Sequence, residues 1–265
     1  MREPTFGILG PLQIRGVAAR SCVPLGGPKP RAVLATLLLR PGAFVSLDTL
    51  TEVLWPQRPP RSAVANLRTY VRALRGALAA AGVDTTGLRT RHGGYVLDVP
   101  PLDHDLLLFE RRVDRARTAR NAGQHAAALR GYLSALSLWR GGVLQDLPGS
   151  VLWDPVLTRA EQLRTVVQDE SLRLRLVTGD HGPLVAELRT RIAADPLRED
   201  LWQLLVSALD RAGRTAEARV AYADARRLLA AELGVAPGEA LRAAGEALFS
   251  SRSYWSGSAP GSRSR

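Results

Sequence analysis

The chain has 265 residues, of which 46% are hydrophobic and 5% aromatic, and it carries a formal net charge of +11. The single cysteine excludes an intrachain disulfide, and four scattered histidines leave no pair at metal-ligand spacing, so we expect neither a metal nor a cofactor. The longest apolar run, Ala32–Leu39, is far shorter than a membrane span, and the N-terminus lacks signal-peptide features. We therefore expect a cytoplasmic protein without membrane contact.

The positive charge is concentrated at one end of the chain. Residues 1–100 hold 13 basic and 5 acidic side chains, whereas residues 101–250 hold 20 of each. This distribution is typical of a nucleic-acid-binding domain joined to a neutral partner domain. We accordingly predict domains at 1–100 and 101–250, followed by a Ser/Gly/Arg-rich tail, 251–265, that we expect to be disordered.

The first hundred residues begin with strands and continue with helices. Residues 5–14 alternate apolar residues with glycine, which predicts a short bent strand pair, and weaker strand signals follow in residues 17–25. A Gly-Gly turn then precedes a helix over residues 28–39, with proline at its start. Ser46 is placed to cap a second helix, residues 47–54.

A third helix is predicted over residues 61–80, with Leu67 at the centre of its buried face. The stripe predicted to be buried with it comprises Ala63, Val64, Tyr70, Val71, Leu74 and Leu78. The opposite face carries Ser62, Ala65, Thr69, Arg72 and Gly76, with Arg61 and Arg68 at its edge. Twenty residues without an acid suit a helix laid into an anionic groove, although a solvated surface helix is the alternative.

A glycine-containing hairpin follows, with segments 88–91 and 95–99 around the turn at residues 92–94. Strands, three helices and a hairpin, in this order, predict a winged helix-turn-helix whose third helix enters the major groove. The candidate DNA-binding residues are Lys29, Arg31, Arg61, Ser62, Arg68, Thr69, Arg72, Arg91 and His92. Among them we expect Thr69 and Arg72 to contact bases, and Lys29, Arg31 and Arg91 to hold phosphates.

Residues 102–252 are predicted to be helical and repetitive. Residues 213–228 align with residues 123–138, and the match repeats the small–aromatic–small spacing of a tetratricopeptide second helix. The matched pairs are Ala218 with Ala128, Tyr222 with Tyr132, and Ala225 with Ala135. Trp202 and Leu205 fit the first helix of the same repeat, and we expect both Trp202 and Tyr222 to be buried. An ordinary helical bundle is the alternative.

Two stretches, PLGGPKPRAVLATLLLRPGAFVSLDTLTEVLWPQRPPRSAVANLRTYVRALRGAL and TRHGGYVLDV, resemble the OmpR-type winged helix of the Streptomyces antibiotic regulatory protein family. The stretch RRLLAAELGVAPGEALRAAGEAL resembles the end of the bacterial transcriptional activation domain that follows it in this family. The resemblance covers residues 5–250 and implies an α+β winged helix-turn-helix followed by an all-α, tetratricopeptide-like repeat domain. Pro30 stands where the family usually has Gln, and Arg72 where it often has Ser.

The resemblance implies a sequence-specific activator of a secondary-metabolite gene cluster, often one for an antibiotic. Such a protein binds direct repeats near the −35 region of promoter DNA, as a tandem dimer, and recruits RNA polymerase through the sigma factor and other subunits. The Trp55–Pro60 loop is placed like the polymerase-contacting loop of OmpR-type domains, with Trp55, Gln57 and Arg58 as contact candidates. For Trp55, packing in the core is the alternative role.

Two other classes of function agree less well with the sequence. A helical-repeat adaptor whose basic N-domain binds RNA or an acidic protein would share the charge distribution, but the winged-helix order of elements argues against it. An enzyme is not expected, because no paired carboxylates, metal-ligand spacing or nucleophile motif is present.

Overall fold

The computed structural model describes residues 4–16 and 22–250, and they form two compact units that divide between Gln168 and Asp169. Residues 17–21, within the region of weak strand signals, and the tail 251–265, expected to be disordered, lie outside the described residues. Among the described helices, none is long and apolar enough to cross a bilayer.

The first unit begins with a winged helix-turn-helix, as the sequence predicts. Its elements are β1 (Phe6–Gly7), β2 (Gln13–Ile14), α1 (Pro28–Leu38), β3 (Phe44–Ser46), α2 (Leu47–Leu54), α3 (Ala63–Ala80), a 3-10 turn (Thr85–Gly87), β4 (Leu88–Arg91) and β5 (Gly94–Leu97). β1 and β2 form an antiparallel pair, and the second sheet has the order β3-β5-β4. β3 was not predicted, because three residues are too few for a periodicity signal.

Local capping explains where these helices begin. The Ser46 hydroxyl accepts a hydrogen bond from the Thr49 amide at 3.0 Å, which confirms the predicted cap of α2. α1 follows Gly27 and opens with Pro28, where a missing N–H costs little.

Seven further helices make up the rest of the described chain. They are α4 (Asp105–Asn121), α5 (His125–Leu136), α6 (Asp154–Thr178), α7 (His181–Ala194), α8 (Glu199–Arg211), α9 (Thr215–Leu233) and α10 (Glu239–Ser250). α4, α5 and the first part of α6 belong to the first unit, and the helices from α7 onward belong to the second.

The repeat is visible in the packing of α5 and α9. Each helix follows a glycine with positive φ, Gly123 at 73° and Gly213 at 74°. The four matched alanines are fully buried, so the small residues sit where neighbouring helices approach closely: Ala128, Ala135, Ala218 and Ala225. A Cβ at Gly131 of α5 would lie only 2.8 Å from the Cβ of Ala116 in α4, which shows how close this approach is.

The two aromatic residues expected in the repeat core are less enclosed than predicted. Trp202 and Tyr222 are only partly buried and pack against the edge of the core of the second unit. The Tyr222 ring lies against Gly245 of α10, and the Trp202 indole donates to the Pro196 carbonyl at 2.8 Å. The core itself is aliphatic, with Leu209 among its fully buried members.

A buried carboxylate fixes the N-terminal strand pair to α4. Asp105, 1% exposed, accepts hydrogen bonds from the amides of Ile8 and Leu9, each at 2.9 Å. The Arg140 guanidinium lies 3.3 Å from the same carboxylate and also donates to the Pro11 carbonyl at 2.8 Å. The segment around β1 is therefore held by residues that come about a hundred positions later in the chain.

Polar contacts also hold α1 to residues just before α4 and between α5 and α6. The Trp153 indole donates to the Thr36 hydroxyl at 3.1 Å, and Arg31 pairs with Asp146. His104 Nε2 lies 2.8 Å from the Leu38 carbonyl, and burial lowers the pKa of this imidazole. The neutral ring thus donates to Leu38, and the winged helix and α4 share one packed body.

Replacing Asp105 with alanine is expected to destabilise the first unit by about 3–5 kcal/mol, because Arg140 and two buried amides would lose their acceptor. Urea unfolding of the full chain, followed by tryptophan fluorescence, measures this change. Asp114→Ala is the matched control, since Asp114 lies on the same helix with 74% of its side chain exposed, and it should cost less than about 0.5 kcal/mol. Equal effects of the two substitutions would contradict this account of Asp105.

Candidate nucleic-acid interface

α3 presents one buried and one exposed face. Leu67, Val71, Leu74 and Leu78 are each at most 1% exposed, and α1 and α2 pack against this helix. The outward face is exposed as predicted, and comprises Arg61, Ser62, Ala65, Arg68, Thr69, Arg72 and Gly76. The sequence pattern therefore predicted correctly which face of α3 points outward.

Two members of the predicted buried stripe lie at its margins. Val64 is 40% exposed, so its predicted burial is wrong, and Tyr70 is half-buried. Both lie about 60° from Leu67 on a helical projection, at opposite edges of the arc. On the Val64 side, the surface of α3 that is buried in the fold is therefore narrower than the apolar face predicted from the sequence.

The hydroxyl groups of Ser62 and Thr69 on the outer face form hydrogen bonds with neighbouring residues of the same segment. Thr69 donates its proton to the Ala65 carbonyl at 3.1 Å, and the Asn66 amide group donates to the Ser62 hydroxyl at 3.3 Å. The exposed Thr69 oxygen still has lone pairs to offer, so this hydroxyl can accept a hydrogen bond from an exocyclic amine of a base.

The arginines of this face have no acidic partner among the described residues. Arg61, Arg68 and Arg72 form no ion pair there, whereas arginines of α6, α7 and α9 pair with nearby carboxylates, as Arg189 does with Glu217 at 2.8 Å. Free guanidinium groups on an exposed face can donate two parallel hydrogen bonds to a phosphate or to a guanine edge.

The hairpin of β4 and β5, here called the wing, places Arg91 and His92 at its tip. Both side chains are exposed, and Gly93 takes the positive φ of 75° that the turn requires. The Leu47 amide donates to the Gly93 carbonyl at 2.8 Å, which fixes the turn to the start of α2. β5 is fully buried, and a Cβ at Gly94 would lie 2.2 Å from the Val45 carbonyl oxygen.

The start of α1 meets the loop between α2 and α3. The Lys29 ammonium lies 4.7 Å from the ring centroid of Trp55, close enough for a cation–π interaction. Trp55 is half-buried, while Gln57 and Arg58 are exposed. Lys29 itself stays exposed, so it can reach a phosphate while it covers the indole.

Two arginines of this region already have acceptors within the protein. Arg31, which we expect to hold a phosphate, donates to the Leu12 carbonyl at 3.4 Å and pairs with Asp146. Arg75 of α3, which the sequence analysis did not single out, donates to two acceptors on β4. Neither contact has a local sequence signal, because each joins elements that are separated along the chain.

No three His, Cys, Asp or Glu side chains converge as metal ligands within residues 4–16 and 22–249.

Comparisons with known proteins match both parts of the chain. Residues 24–97 match the family described as "Transcriptional regulatory protein, C terminal", and residues 104–249 match the "Bacterial transcriptional activator domain". A solved structure of EmbR from Mycobacterium tuberculosis, in complex with a low-affinity phosphopeptide, aligns with a TM-score of 0.82 and 33% identity. The alignment covers 95% of this chain and 66% of that one.

Curated relatives point to the same family. Regulatory protein AfsR of Streptomyces griseus is 40% identical over 88% of this chain, which spans only 23% of AfsR. Regulatory protein DnrI of Streptomyces peucetius is 35% identical, and the match covers 89% of each chain. With both domains matched in order and DnrI matched over nearly its whole length, the chain belongs to the Streptomyces antibiotic regulatory protein family of transcriptional activators.

Proposed function

We propose that the chain binds double-stranded promoter DNA in a sequence-specific manner, with α3 in the major groove and the wing on the adjacent backbone. The observation that carries this proposal is the outer face of α3, where Arg61, Arg68 and Arg72 have no acidic partner among the described residues. A major groove about 12 Å wide admits an α-helix, and base edges there offer acceptors to arginine.

The charge of each compact unit supports the same assignment. Residues 1–168 hold 22 basic and 12 acidic side chains, whereas residues 169–250 hold 11 basic and 13 acidic ones. The positive excess of the described chain thus belongs to the unit that carries α3. Because phosphate contacts supply most non-specific affinity, this unit is the one that DNA attracts.

Within the proposed interface, Arg72 and Thr69 contact bases, Arg68 flanks them on α3, and Arg61 and Ser62 lie just before the first residue of α3. Lys29 at the start of α1 and the wing-tip residues Arg91 and His92 contact the backbone. For Arg31 we now propose a structural role, since its guanidinium already has two acceptors, the Leu12 carbonyl and Asp146.

We also propose that residues 101–250 act in activation, by docking on RNA polymerase through its sigma factor and other subunits. Membership of the family supports this assignment, and the exposed Gln57 and Arg58 beside Trp55 are candidates for a further polymerase contact. By analogy with the family, the sites are direct repeats near the −35 region of an antibiotic gene cluster, bound by a tandem dimer in the cytoplasm.

The domain boundary predicted at residue 100 does not mark the end of the smallest fragment that we expect to fold. A fragment ending at residue 100 would lack Asp105, Arg140, Asp146 and Trp153, and would leave the apolar side chains around β1 uncovered. We therefore propose residues 1–168 as the minimal DNA-binding fragment.

Replacing Arg72 with alanine should reduce discrimination between a selected operator and a scrambled duplex by about 1–3 kcal/mol, because one base contact is lost. Dissociation constants for both duplexes measure this ratio. Arg111→Ala removes the same charge from the exposed face of α4 and should leave the ratio unchanged. An unaltered ratio in Arg72→Ala would remove Arg72 from base recognition.

DNA binding by the 1–168 fragment should be as steeply salt-dependent as binding by the full chain. With roughly six phosphates neutralised, the slope of log K against log salt should be about −5. The 1–100 fragment should be aggregated or unfolded by circular dichroism. If the 1–168 fragment folds and has no affinity at low salt, residues 169–250 take part in binding.

Opening the core of the second unit should abolish activation and spare DNA binding. Leu209→Ala removes a fully buried side chain at a cost of about 2–5 kcal/mol, whereas Leu233→Ala acts on a side chain that is 52% exposed. Transcription with purified polymerase, from a promoter carrying the selected operator, should fall only in Leu209→Ala. Full activation by that variant or by the 1–168 fragment would move the polymerase contact to the first unit.

A further inference from the structure

Arg75 lies on α3 but faces the wing. One of its terminal nitrogens, Nη2, donates to the Leu88 carbonyl at 2.9 Å and to the Thr90 hydroxyl at 3.0 Å. Both acceptors belong to β4, thirteen and fifteen residues further along the chain. This guanidinium therefore ties α3 to the strand that leads to Arg91.

The helical phase of Arg75 explains this orientation. Its side chain projects about 80° from the direction of Leu67, between the buried face and the outward face that carries Arg72. The side chain is half-buried, in contrast to the exposed Arg68 and Arg72. From this position the Arg75 guanidinium lies beside β4 and reaches polar groups of that strand.

The register of the hairpin explains why β4 offers the acceptors. Leu88 pairs with Leu97 and Thr90 pairs with Tyr95, so the side chains of Leu88 and Thr90 lie on one face of β4, with Leu88 buried and Thr90 exposed. Arg89 and Arg91 alternate with them on the other face. Arg75 thus bonds the side of β4 that carries Thr90, and the Arg91 side chain lies on the other side.

We propose that Arg75 is a positioning residue for DNA recognition, which fixes the angle between α3 and the wing so that both engage one duplex at the same time. This inference rests on the proposed DNA binding and adds a residue that acts through Thr90 and β4. A flexible wing would have to be ordered on binding, at an entropic cost that the preformed contact avoids.

The test compares charge-preserving substitutions in the full chain. The probe is the tightest-binding duplex recovered by the wild-type chain from a random 30-base-pair pool. Hydroxyl-radical protection beside the major-groove site reports the wing, and protection of guanine N7 from methylation reports α3.

Arg75→Lys keeps the charge, but a lysine lacks the planar guanidinium that reaches both acceptors. It should lose the wing protection, keep the guanine protection and bind about tenfold more weakly, with a salt slope shallower by about one because the phosphate contact of the wing is lost. Thr90→Val, which changes no charge, should shift the wing protection in the same direction. The double variant should be no weaker than Arg75→Lys alone.

Arg89→Lys is the control, because Arg89 lies on the opposite face of the same strand, where it pairs with Asp98, and the substitution should leave both footprints intact. If Thr90→Val has wild-type footprints while Arg75→Lys lowers the affinity and the salt slope, Arg75 contacts phosphate itself and the inference is overturned. It is also overturned if both variants match the wild type. A wild-type chain that selects no duplex would instead refute the proposed DNA binding.

Discussion

A single carboxylate, that of Asp105, holds the first unit together. A buried negative charge is costly unless donors surround it, and here the donors are two main-chain amides near β1 and the Arg140 guanidinium. The charge is satisfied only when α4, the β1 segment and the chain after α5 are all in place. The contacts of Trp153 with Thr36 and of His104 with Leu38 join α1 to the same body.

As a result, the two regions matched by family models do not coincide with the two compact units of the structure. Their boundary falls between residues 97 and 104, yet the packing crosses that boundary and separates only at residue 168. α3, whose arginines face outward, thus packs against α1. α1 in turn is hydrogen-bonded to His104 and Trp153, which lie within the matched activator domain.

Sequence patterns correctly predicted the features that depend only on interactions between residues close together in the chain. The outward face of α3, the Ser46 cap and the glycine turn of the wing follow from periodicity and backbone preference within a few residues. The exposure of Val64 was missed, because periodicity gives the direction of a face but not the width of the surface packed against it. For the same reason, the repeat pattern located Trp202 on its helix and overestimated its burial.

Contacts between distant residues explain the remaining differences in the candidate site. Arg31 and Arg72 look alike in the sequence, since both are arginines on short basic helices, and only tertiary packing brings Asp146 to Arg31. Arg75 differs from Arg72 by less than one helical turn, and the position of β4 decides that it turns inward. Charge counts cannot distinguish such residues, because the counts ignore which cations already have acceptors.

The long separation between Asp105, Asp146 and their amide partners bears on how the protein is made. The two contacts join residues 97 and 134 positions apart, so the ribosome must release most of the first unit before the segment from β1 to β2 can be secured. At about 5–20 residues per second, the N-terminal segment waits on the order of 10 s for its partners. During this interval the nascent chain carries a complete α3 on an unfinished core, and the core is completed only after Asp146 has left the ribosome.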